Sequence, residues 1–194
     1  MSLRLAQIRL DTRSFVGQHR LQRYLAFIPS GPRRTVVTLR LTKKLLRLVD
    51  TPVLTTEPST TILGDWTGSL FYVGHARYVL LVSERARLPV LMPGRDLKNL
   101  ARHFPGALAE VLLALGIPAP TVEREVEACE NALIATTNNR SLLGTINDFA
   151  FLVSHQLREH PDADLTQAGL WLSRTPVGPL SHERPRDVAR RLLG

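Results

Sequence analysis

The apolar positions change rhythm part-way along the chain. Up to Pro93 they come in short β-branched and aromatic runs, and after Asp96 they recur every three to four residues. The first rhythm is that of strands and the second that of helices packed on one face. Thr35-Val36-Val37-Thr38-Leu39-Arg40-Leu41 predicts a strand, and Thr42 to Leu48 a short helical turn with Thr42 as its cap. Residues 51–64, with Pro52, Pro58 and several Thr and Ser, predict an extended surface loop. Ser69 to Val73 and Tyr78 to Ser83 predict two strands joined by the hairpin-length Gly74-His75-Ala76-Arg77. Pro89-Val90-Leu91-Met92-Pro93 predicts a third, and its bracketing prolines suit an edge or strand ends.

The second half reads as helices. Asp96 is expected to cap a segment ending near His103, with Pro105 in the first turn of a separate helix. That helix carries the stripe Leu108, Val111, Leu112, Leu115 and stops at Gly116. A helix over about 122–131 turns Val122, Val126 and Cys129 inward, and Glu123, Glu125, Glu127 and Glu130 fit its solvated face. Leu133 to Thr136 reads as a returning strand. A long helix from about Ser141 to Leu157, a shorter one from Leu165 to Ser173 and a basic terminal turn, Arg184 to Leu193, complete the chain. A strand meander followed by helices predicts an α+β domain: a small, mostly antiparallel sheet in the N-terminal half, packed against a helical C-terminal half.

Composition narrows the class. No window holds the roughly 18–20 apolar residues a membrane helix needs, so no membrane partner is expected. The N-terminus lacks the apolar core of a secretory signal. The lone Cys129 excludes an internal disulfide and a cysteine-only zinc site, and it reads as a core residue in a reducing compartment; the expected location is the cytoplasm. The formal charge of +8 suggests nucleic acid, but residues 1–36 hold seven Arg against Asp11 alone. Downstream, 18 basic side chains face 16 acidic ones, so the domain proper is nearly neutral. Residues 1–36 therefore read as a basic N-terminal extension, poorly ordered or arising from a misassigned start, and 37–194 as one domain.

Arg40-Leu41-Thr42-Lys43-Lys44-Leu45 and Gly64-Asp65-Trp66 are followed by Val82-Ser83-Glu84-Arg85 and Leu88-Pro89-Val90. Next come Asn139-Arg140-Ser141-Leu142-Leu143-Gly144-Thr145-Ile146-Asn147-Asp148-Phe149 and Thr175-Pro176-Val177-Gly178-Pro179-Leu180. In this order, over about residues 37–186, they resemble a bacterial and archaeal domain family known only as a domain of unknown function. The resemblance implies no activity, cofactor or catalytic residue.

The candidate positions are Asp65, Trp66, Arg140, Asn147 and Asp148. On a helical wheel Leu142, Leu143, Ile146, Phe149, Ala150, Val153 and Leu157 share one face of the long helix, Arg140, Gly144, Asp148 and His155 the other, with Asn147 between. Gly144 costs helix stability, which suggests close approach of another backbone or a ligand. In the structural reading Asn139 caps the helix, Arg140 pairs with an acid such as Asp65, and Asn147 pins a loop. Trp66 is expected to lie over the core rather than stack on a base. The six His lack metal-site spacing, and no phosphate-binding loop or nucleophile elbow occurs, so neither metal nor cofactor is expected. These features predict a binding or accessory module contacting protein or nucleic acid. The alternative is a small hydrolase or nuclease with Asp65 and Asp148 as acid, base or metal ligands and Arg140 holding an anion. A purely structural subunit would instead show a broad exposed apolar patch.

Overall fold

β-branched and leucine-rich runs build a five-stranded sheet among the described residues. The computed structural model describes residues 36–49, 59–130 and 132–194. The strands are β1 (Thr38–Leu41), β2 (Trp66–Val73), β3 (Ala76–Ser83), β4 (Pro89–Pro93) and β5 (Leu133–Thr136), in the sheet order β4-β3-β2-β1-β5. The helices among the described residues are α1 (Lys43–Leu46), α2 (Leu100–Ala114), α3 (Ala119–Glu130), α4 (Arg140–Glu159), α5 (Leu165–Leu172) and α6 (Pro185–Leu193). The basic extension expected over 1–36 lies, apart from Val36, outside the described residues.

The α+β class holds, but the sheet is mixed. The meander β2-β3-β4 is antiparallel, with Val73 opposite Ala76 across a two-residue turn where Gly74 adopts φ +57°. β1, in contrast, runs parallel to both of its neighbours, setting Leu39 beside Trp66 and beside Ile134. A long connection carries the chain from β1 to β2, and β5 is reached from β4 through α2 and α3; connections of that length permit parallel pairing. Strand periodicity reports a buried face, not the direction of a distant partner, so only the local meander was legible.

Alternation along the strands sorts the side chains onto two faces. Leu39, Leu41, Trp66, Leu70, Val79, Leu81, Val90 and Ile134 face α2, α3 and α6. Val73, Tyr78, Leu80, Val82 and Leu91 face α4 and α5. α4 presents Leu142, Ile146, Phe149, Val153 and Leu157 to that face, the apolar stripe its sequence spacing predicts. α5 lies against the outer edge of β4: a Cβ at Gly169 would sit 3.4 Å from the Pro89 carbonyl oxygen. The helix thereby covers that end of the sheet, where β4 is the edge strand its prolines suggest. None of the described helices is long and apolar enough to cross a membrane.

Neither Thr42 nor Asp96, the expected caps, forms a side-chain capping bond, and three further local expectations change. Pro105 does not start a helix; it sits inside α2. Its missing N–H removes one intrahelical bond, while Leu100, Phe104, Leu108, Val111 and Leu112 continue one buried stripe across it. Of the loop expected over 51–64, the described part is packed rather than exposed, with Leu63 fully buried and Thr61 donating to the Gly64 carbonyl. Glu125 is buried, not solvated. Its carboxylate accepts the N–H groups of Ile62 at 2.7 Å and Leu63 at 3.4 Å, so it holds that loop against α3. Burial foremost raises its pKa, against the lowering effect of those two bonds. Cys129 lies beside it in the core, where burial foremost pushes the thiol up.

Candidate functional site

Asp65, Trp66 and the three candidates on α4 occupy different environments in the fold. Asp65 closes the turn ahead of β2 and is buried. Its carboxylate accepts the Nε–H of Arg40 on β1 and the backbone N–H of Ser59, the latter at 2.7 Å. Arg40 stands beside Thr67 in register, on the face that carries α4. The Thr67 hydroxyl is buried there with no partner among the described residues. Asp65 is thus the anchor of a turn, and the arginine it pairs with is Arg40, not Arg140. A strand arginine beside an acid 25 residues away carries no short-range signal, which is why Arg40 was not among the candidates.

Trp66 points through the opposite face. It is fully buried and meets Phe104 of α2 edge-to-face, with centroids 5.1 Å apart, so it belongs to the core as expected. Its indole N–H has no partner among the described residues.

The remaining three candidates belong to α4. Asn139 caps this helix, its side-chain oxygen accepting the Leu142 N–H at 3.1 Å. Arg140, Asn147 and Asp148 are exposed and form no hydrogen bond or ion pair among the described residues. Asn147 therefore pins no described loop, and no interaction joins Asp148 to Asp65. Gly144 lies between them on the exposed side, and a Cβ built there meets no described residue within 4 Å. One turn beyond Asn147 stands Phe151, 68% exposed, with its ring edge-on to His155 at 5.3 Å.

The profile of a family described as Domain of unknown function (DUF6933) matches residues 38–188. The chain belongs to this family. The matched region contains the whole sheet and runs from β1 into α6, so all five candidates lie within the family domain. Neither the curated proteins nor the solved structures yield a match.

Two further polar features of the family domain escaped sequence reasoning. Arg87, in the β3–β4 turn at φ +54°, donates from Nη2 to the Ser141 hydroxyl in the first turn of α4 at 3.3 Å. Its Nε and Nη1 are buried without partners among the described residues, and burial foremost lowers its pKa. A lone arginine in a turn gives no hint of this, because the contact depends on where α4 begins. The second feature is a cleft of about 460 Å³ between β4, α2 and the start of α5. Leu91, Met92, Leu100 and Ala107 line it. Several of its polar groups are paired: Asp96 with His103 at 3.0 Å and with the neighbouring Asn99 at 2.9 Å, and Glu110 with Thr166 at 2.9 Å. None of the five candidates lines this cleft. No group of three or more His, Cys, Asp or Glu among the described residues could hold a metal ion.

Proposed function

We propose that this domain is a binding module whose working surface is the solvent-facing stripe of α4, and that the surface meets protein. The observation that carries the reading is Gly144. A glycine inside an exposed helix costs about 1 kcal/mol relative to alanine, and no described neighbour occupies the space of its missing side chain. Close approach of a backbone from outside the fold supplies the reason. Phe151, more than half exposed on the same stripe, adds an apolar anchor of the kind that protein contacts bury.

Charge favours protein over nucleic acid. Arg140 and Arg158 share the exposed side of α4 with Asp148 and Glu159, whereas a nucleic-acid face needs clustered positive charge. The hydrolase or nuclease reading would need Asp65 and Asp148 to converge. Asp65 is committed to Arg40 and Ser59, and Asp148 faces solvent.

A photo-reactive residue placed at Asn147 tests the proposal, with the exposed Glu123 of α3 as the control site. Illumination in cells should give protein adducts from position 147 and not from 123. Equal yields at both sites, or none at 147, sink the reading.

A further inference from the structure

Arg140 and Asp148 lie at equal distances on either side of Gly144, each four residues away and about 6 Å along the helix axis. All three are exposed. Within one copy the two charges are about 12 Å apart along the axis, too far to pair. Turning the helix end over end about Gly144 exchanges their places. The exposed side of α4 is therefore charge-complementary to an antiparallel copy of itself.

Resting on the binding-surface reading above, we propose that the partner is a second copy of this chain, docked α4 against α4 about a twofold axis at Gly144. Arg140 of each copy then faces Asp148 of the other, giving two ion pairs per dimer. Asn147 comes opposite Ser141. Phe151 comes opposite Thr137, just before the helix cap. The glycines meet at the crossing point, where the missing side chains let the two backbones approach. Positions 140, 144 and 148 form an i, i+4 ridge, and ridges of that kind pack at a crossing of about −50°. A twofold contact of this sort is closed, uses one patch on both copies and does not propagate into fibres. One helix pair buries less than a standard interface, so the dimer exchanges readily and forms at the higher protein concentrations.

Sedimentation velocity of the full chain over a concentration series measures the association. The wild-type chain should pass from monomer to dimer. Arg140→Asp or Asp148→Arg alone places like charges opposite each other twice and should weaken the dimer at least about fivefold. Mixing the two single variants should restore it, because the mixed dimer is complementary at both pairs, and the double variant R140D/D148R should restore it as well. Gly144→Leu should abolish the dimer while leaving the fold intact, read from an unchanged circular dichroism spectrum. Gly144→Cys should form a disulfide dimer on mild oxidation, because the native Cys129 is buried. A monomer at every concentration overturns the proposal, as does a mixture of single variants no stronger than its components. The photo-adducts at position 147 separate the two levels of inference. Adducts of this chain with itself support the dimer. Adducts only with other proteins overturn it but keep the binding surface, and no adducts overturn both.

Discussion

Asp65 and Asp148 are the same residue type in opposite circumstances. Removing the Asp65 carboxylate leaves Arg40 and the Ser59 N–H without their acceptor, and Arg40 is three-quarters buried. Asp65→Ala should cost about 3 kcal/mol in urea unfolding, the scale of a buried pair losing one member. Asp148→Ala should change stability by less than about 0.5 kcal/mol, as for an exposed residue with no described partner. If the two losses are equal, the assignment of Asp65 as a structural anchor is wrong. Glu125 carries a pH signature. Its folded pKa is raised, so relative to Glu125→Gln its contribution is most favourable below the ordinary glutamate range and is lost as pH rises through the folded value. Stability differences between wild type and Glu125→Gln, measured from acid to neutral pH, should shift in that direction.

At the level of elements, α4 and α5 use glycine for different reasons. Gly144 meets no described residue, so in the dilute monomer Gly144→Ala should stabilise the fold by about 1 kcal/mol through helix propensity alone. Gly169 lies against the β4 backbone, and Gly169→Leu should cost about 1–3 kcal/mol by forcing α5 off the sheet edge. Thermal melts of the two variants should move in opposite directions. The α4 stripe was legible from spacing because an amphipathic helix writes its buried face every three to four residues. The pairing of Arg40 with Asp65, and the burial of Glu125 under a loop far away in sequence, were not legible. Each depends on two segments that only the folded chain brings together.

For the molecule as a whole, the sheet is the organising layer. Trp66 on one face and Phe149 on the other are both buried, and Trp66 ties β2 to α2 through Phe104. The chain has two tryptophans, Trp66 fully buried and Trp171 41% exposed. In Trp171→Phe the remaining emission should therefore be blue-shifted and resistant to iodide quenching until the domain unfolds. Strong quenching in the native state would contradict the packing of Trp66 in the core.

Read alone, the amino-acid order settled the class, the strand meander, the helical stripe of α4, its Asn139 cap and the core placement of Trp66. Each of these follows from local periodicity or from a residue's own polarity and shape. It could not settle the parallel pairing of β1 with β2 and β5, because strand alternation is blind to direction. Nor could it place Glu125, Arg40 and Arg87, whose partners lie tens of residues away. Tertiary structure decided which polar residues are committed to holding the fold, as Asp65 is, and which remain outside it with no described partner, as Arg140, Asn147 and Asp148 do. The physical reason is that burial and pairing belong to the packed chain, whereas propensity and periodicity belong to the residues themselves.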